Sequence, residues 1–269
     1  MSELIALTRD VSPAFARAEL THLPRVAIDV DRARAQHADY ERAIASLGCS
    51  VQRLPAGPEM ADSVFVEDTA VVFEEIGIIT RPGAESRRAE IMGVEESLKR
   101  HRLLGHITAP GTLDGGDVLV AGRSVFVGSS TRTNGAGIEQ FRRLVEYFAY
   151  SLQTVEVRGC LHLKSAVTTL NESSLLMNRD WVQPDAFAGL DIVDVHPDEP
   201  RGANIARVNG RLLYAAAFPR TRDLLERRGH GVTTVDVSEI AKAEGAVTCC
   251  SLIFVAATFS PPSNSSPTR

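Results

Sequence analysis

One pattern constrains this chain more than any other. A helix, a short extended segment and a hairpin-like pair of apolar runs recur about every forty-five residues. The helical period is clearest over 138–148, where Ile138, Phe141, Leu144, Val145 and Phe148 form one apolar stripe. Further helices are read over 31–47, which stops at Gly48, over 86–100, weakened by Gly93, and over 221–228, which follows Pro219 and stops at Gly229. A fifth, over 181–188, is short and interrupted by Pro184. Extended segments follow these helices at 50–54, 106–109, 154–157, 192–195 and 232–237. Paired β-rich runs come next, at 69–73 with 77–80, 118–120 with 124–127, 166–170 with 174–177, and 205–208 with 211–215. The last pair flanks Asn209-Gly210, a two-residue turn signal. The run 249–255 has no partner after it and 4–7 has none before it, so the two are expected to close a ring.

Such repetition predicts an α/β fold, a closed propeller-like array with pseudo-fivefold symmetry. Asp68, Asp114, His162, Asn204 and Cys249 each sit just before or at the start of a β-run, separated by 46, 48, 42 and 45 residues. In a ring, equivalent positions converge on the axis, and four of these five are residue types that do chemistry. One domain is expected over 1–258, with a disordered tail over 259–269. The composition, 44% apolar and 23% charged, suits a soluble protein with a large core. No stretch approaches the roughly 18 apolar residues of a membrane span. A net charge of −5 with scattered Lys and Arg argues against nucleic acid as a partner. Four cysteines, two of them adjacent, make no disulfide framework, and the opening MSELIALTRD lacks the features of a secretion signal. A reducing cytoplasm is therefore expected. Oligomeric state is not legible.

Cys249 is the first candidate for chemistry, because a thiolate beside a histidine and carboxylates is a nucleophile. Alone, a cysteine in AVTCCSLIF would more often be a small buried hydrophobe; its place in the series favours the first reading. Cys250 should point to the opposite face of its strand. His162, in GCLHLKS, could move protons. No HxxxH or CxxC spacing supports a dedicated zinc site, so no metal is expected. Carboxylates cluster in Asp62-Ser63-Val64-Phe65-Val66-Glu67-Asp68 and in Leu113-Asp114-Gly115-Gly116-Asp117. Several acids around one pocket repel each other unless a cation sits among them. A metal ion and a guanidinium are the two obvious cations, and a planar guanidinium making bidentate pairs is the better fit. Arg87, Arg88 and Arg132 are candidates for gripping a carboxylate, with Arg88 better read as a surface residue. The glycines of LDGGDVLVAG match no phosphate-binding loop, and no cofactor is expected.

The segments DSVFVEDTAVV, ITRPGAESRR, TLDGGDVLV, RTN, LHLKS and TCCSLIF, in that order, resemble the dimethylarginine dimethylaminohydrolases. These are guanidino-group-modifying enzymes of pentein fold, a five-bladed αβ propeller. The resemblance spans residues 20–254 and implies hydrolysis of Nω-methylated arginine to citrulline and a methylamine. It implies Cys249 as nucleophile and His162 as general acid and base, with Asp68 and Asp114 holding the guanidinium. Asp62 and Glu67 would complete the acidic side, Arg87 and Arg132 would bind the α-carboxylate, and the backbone at Leu20 and Ala243 would hold the α-amino group. A lid near Leu20 would exclude water until the amine leaves. Two alternatives stand beside this reading. One is the same chemistry on another guanidine, by arginine deimination or amidino transfer. The other is a non-catalytic pentein-fold binding protein, which would not require the full set of Cys249, His162, Asp68 and Asp114.

Overall fold

The described residues of the computed structural model, 3–257, repeat one unit around an axis. Two short strands pair antiparallel, the chain crosses over, and a third strand adds parallel to the second. β1 (Leu4–Arg9), α1 (Val30–Ser46) and β2 (Cys49–Leu54) begin the chain. The next blade holds β3 (Ala70–Val72), β4 (Ile76–Ile79), α2 (Ile91–Leu98) and β5 (Leu103–His106). It is followed by β6 (Val118–Ala121), β7 (Ser124–Ser129), α3 (Gly135–Glu146) and β8 (Ser151–Glu156). A one-turn α4 (Leu163–Ala166) leads into β9 (Val167–Thr169), β10 (Ser174–Met177) and β11 (Asp191–Asp194). The fifth blade is β12 (Ile205–Val208), β13 (Arg211–Ala215), α5 (Pro219–Arg227) and β14 (Val232–Val235). A short α6 (Ser238–Ala241) precedes β15 (Leu252–Val255).

The ring closes as the unpaired end runs suggest. β15 lies antiparallel to β1, with Leu4 opposite Val255 and Leu7 opposite Leu252, while β1 runs parallel to β2. This makes five three-stranded sheets in a pseudo-fivefold αβ propeller. Parallel neighbours need a crossover connection, and the amphipathic helices supply it. α1 starts where the Asp29 carboxylate accepts from the Arg32 N–H, and it buries Ala33, His37, Tyr40 and Ile44. α3 starts where Asn134 accepts from the Gly137 N–H, and it buries Ile138, Phe141 and Val145. Burying a side chain as large as Phe141 contributes roughly 2–3 kcal/mol.

Three local expectations are corrected. The segment 181–188 holds only a 3-10 turn, Pro184–Phe187, which Pro184 begins rather than interrupts, since the first helical N–H needs no partner. β5 lies at Leu103–His106, not 106–109, because Leu103 and Leu104 pair with Ile76 and Gly77. Beyond it only the Ile107 N–H continues the ladder, to the Ile79 carbonyl. Cys249 and Cys250 sit on a turn before β15 rather than on the strand, although Cys250 is packed into the core while Cys249 is half-buried. The expected disordered tail lies outside the described residues. No described helix is long and apolar enough to cross a membrane.

The inner strands β3, β6, β9, β12 and β15 line an open axial pocket. The chain enters each of them through a tight turn: Val66–Thr69, Gly115–Asp117, α4, and the turns at 199–203 and 247–250. Asp68, Asp114, His162, Asn204 and Cys249 lie on or beside those turns, which is the structural origin of their spacing in sequence.

Candidate active site

At the mouth of the propeller lies a small, partly open pocket whose wall includes Asp62, Asp68, Arg132, His162, Ala243 and Cys249. The acids are fixed by backbone N–H groups brought from other turns of the ring. The fully buried Asp114 carboxylate accepts from the Gly83 N–H at 2.8 Å and pairs with His162 Nε2 at 3.0 Å. Asp68 accepts from the Gly116 N–H at 3.0 Å and stands 3.7 Å from His162 Nδ1. Gly116 is required there: a Cβ would lie 2.6 Å from His162 Nδ1 and 2.8 Å from Asp68 Oδ1.

The charges follow from this packing. Burial disfavours the imidazolium of His162, but Asp68, Asp114 and Asp117 outweigh it and push the group up to about 9. Burial also works against the Asp68 carboxylate, and the charges of His162 and Arg87 overcome it, holding it down at about 2. Burial, with Glu67 and Asp68 close by, raises the Cys249 thiol well above its ordinary range. Without a ligand, therefore, the cavity holds a neutral thiol, an imidazolium and ionised acids. A cation placed among those acids would lower the thiol and favour thiolate.

Not every sequence-selected residue sits as expected. Arg87 is buried and its donors are committed to Asp68 at 2.6 Å, Glu90 at 2.9 Å and the carbonyls of Asp62 and Phe65. It braces the acids from behind instead of presenting free N–H groups to a carboxylate. Glu67 faces away from the acid cluster, accepting from Lys164 Nζ and from Thr248 Oγ1, both at 2.7 Å. Asp114 has both oxygens engaged, which makes it first a partner of His162. Arg132 is held loosely, 3.3 Å from Thr21 Oγ1 and 3.6 Å from Glu19, and its guanidinium borders the cavity. Arg88 pairs with Glu85 at the surface. Asp62 accepts from the Glu19 N–H, and burial raises its carboxyl. Ala243 lines the pocket; Leu20 lies in the strap formed by residues 18–27, where its neighbour Glu19 forms part of the wall.

Sequence reasoning named the LDGGD acids together but passed over the role of Asp117. This buried carboxylate accepts from Ser130, Thr133 and the Leu163 N–H, and so holds α4 and the His162 turn in place. Burial lifts it to about 6. Glu90, Lys164, Thr248 and Glu244 were likewise missed, since single polar residues carry no motif. Asp68, Asp114 and His162 have ligand atoms within 4.8 Å of one another, so this trio could hold a metal ion. A ligating imidazole must first lose its proton, and a group protonated up to about 9 resists that at neutral pH.

The family model described as N,N dimethylarginine dimethylhydrolase, eukaryotic, matches residues 21–186. A dimethylarginine dimethylaminohydrolase of Streptomyces coelicolor is 41% identical over 250 residues, 92% of this chain and 95% of that protein. This chain belongs to the dimethylarginine dimethylaminohydrolase family. Two solved members of the family share its fold. A cysteine-to-serine variant of the Pseudomonas aeruginosa enzyme, complexed with citrulline, superposes with a TM-score of 0.89 at 33% identity, covering 94% of this chain and all of that one. A histidine-to-glycine variant, as an adduct with S-methyl-L-thiocitrulline, gives 0.90 at 34% identity over the same shares.

Proposed function

We propose that this dimethylarginine dimethylaminohydrolase family member hydrolyses Nω-methylated L-arginine, dimethylated or monomethylated, to citrulline and the corresponding methylamine. The observation that carries the reading is the meeting of Cys249, His162 and Asp68 at one pocket, with Asp114 bonded to His162 Nε2. The guanidinium of the substrate enters beside Asp68, and its charge converts the Cys249 thiol to thiolate, the thiol proton passing to solvent because His162 already carries one. Sulfur attacks the central carbon and forms a C–S bond. His162 gives its proton to the departing amine as the C–N bond breaks, leaving a thiouronium on Cys249. The neutral imidazole then takes a proton from water and the resulting hydroxide attacks the carbon; the C–S bond breaks, and the adduct's hydroxyl proton leaves to solvent or to the departing sulfur, giving citrulline and restoring Cys249. Arg132 takes the α-carboxylate, while Arg87 keeps Asp68 ionised and aligned.

Residues 1–258 serve this chemistry as one catalytic domain, and the substrate is a free small guanidine met in the cytoplasm, in keeping with four unpaired cysteines. Mass spectrometry of the acid-quenched reaction tests the covalent step, with dimethylarginine, monomethylarginine and arginine compared as substrates. A thiouronium on wild-type chain and none on Cys249→Ser is the expected result. Undiminished turnover by Cys249→Ser would refute the nucleophile, and arginine turning over as well as its methylated forms would move the enzyme to the deiminases.

A further inference from the structure

Resting on the reading above, we propose that Glu244 is a positioning residue for the amino-acid end of the substrate. Its carboxylate clamps the strap onto the 243–245 turn and so assembles that end of the cavity. The N–H groups of Thr21, His22 and Leu23 all donate to it, at 2.9, 2.5 and 2.6 Å, across more than 220 residues of sequence. Three consecutive amides converging on one anion make a backbone nest. A surface glutamate ordinarily pairs with a cation, but the neighbouring Lys242 is spent on Glu239 and the Ala27 carbonyl.

Both sides of the clamp border the cavity. On one side the turn is tightly set: Glu244 adopts a left-handed φ of 60°, rare for a residue with a Cβ, and a Cβ on Gly245 would lie 2.3 Å from the Phe65 ring. On the other side the strap delivers Glu19, whose N–H donates to Asp62, and Thr21, whose hydroxyl meets Arg132. Strap residues 24–27 are exposed and outside any helix or strand, and besides Glu244 the described residues hold this stretch only by side-chain contacts, Lys242 on the Ala27 carbonyl and Arg25 on the carbonyls of Ala16 and Ala18. Glu244 thus sits between the two backbone stretches, at Leu20 and Ala243, that the family resemblance assigns to the α-amino group. It touches none of the groups that cut the C–N bond, so its loss should weaken binding more than chemistry.

The test uses the full chain as Glu244→Ala and Glu244→Gln. For Glu244→Ala the KM for dimethylarginine should rise on the order of tenfold, with kcat changed by less than about threefold. Glu244→Gln keeps one oxygen as acceptor and should fall between it and wild type. Tryptic cleavage at Arg17 and Arg25 in the strap should quicken several-fold in Glu244→Ala, and Cys249 should alkylate with iodoacetamide at least as fast as in wild type. An unchanged KM and unchanged tryptic rate would overturn the proposal. So would a fall in kcat and in Cys249 labelling at constant KM, which would mark a collapsed site. If wild type does not turn over methylated arginine at all, the functional reading fails, and the proteolysis alone still decides whether Glu244 clamps the strap.

Discussion

Replacing Asp114 by Asn isolates the interaction on which the acid–base role of His162 depends. The substitution keeps the shape of a fully buried side chain and one acceptor for the Gly83 N–H, but removes the negative charge 3.0 Å from Nε2. His162 titrates at about 9 against a reference value of 6.5. At about 1.4 kcal/mol per unit, the surrounding acids favour the imidazolium by about 3 kcal/mol net of burial. A charge-assisted hydrogen bond of this kind contributes roughly 1.5–3 kcal/mol, so Asp114→Asn should lower His162 by about one to two units. The imidazolium is the proton donor to the leaving amine, so the alkaline limb of kcat/KM should move down by the same amount. Stability should show it as well. Because the folded value lies above the unfolded one, wild type holds the full His162 contribution below pH 6.5 and loses it as pH rises through about 9. In the variant that loss is smaller and is complete at lower pH. NMR titration of the His162 ring, with urea unfolding between pH 6 and 10, measures both. A ring that titrates at the same pH in the two proteins would refute the electrostatic argument, whatever the activity did.

Two more substitutions probe how the site is held. Gly116→Ala should reduce kcat/KM on the order of a hundredfold or more, since a methyl group would press within 2.6 Å of His162 Nδ1 against a ring already fixed by Asp114; steady-state kinetics with dimethylarginine would show it, and near-normal activity would mean the ring moves freely. Tyr40→Phe removes a buried hydroxyl that donates to the Val247 carbonyl at 2.8 Å and meets Ser251 at 2.7 Å. It should lower unfolding free energy by about 1–2 kcal/mol in urea titrations and slow Cys249 chemistry, because those bonds flank the Cys249 turn.

What the sequence disclosed and what it concealed have separable physical causes. The fold was legible because each blade must bury the stripe of its helix against short apolar strands, and Ile138, Phe141 and Val145 show that demand locally. The convergence of Asp68, Asp114, His162 and Cys249 was legible for a related reason, since a repeat period places one residue per blade at the axis. Pairings across the ring were not. Whether Arg87 grips a ligand or braces Asp68 depends on a 3-10 turn that sends its side chain inward to Glu90, and nothing in ESRRAE marks that direction. Glu67 belongs to the same acidic segment as Asp62 and Asp68, yet Lys164 and Thr248, brought from 97 and 181 residues away, draw it toward the axial pocket. Glu244 is a single acidic residue whose partners are backbone amides, and amides leave no trace in residue identity.

The same pairings explain why the site selects a cation. Burial does most to raise the Cys249 thiol, and Glu67 and Asp68 add to it as negative neighbours, so sulfur stays protonated until positive charge arrives. A guanidinium supplies that charge and is also the group to be attacked. Binding and activation of the nucleophile are then one electrostatic event, which ties reactivity to the presence of the right substrate. A neutral urea such as the product citrulline brings no such charge. The thiol therefore returns to its resting protonation once the amine has left and water has added, and this favours release over re-attack.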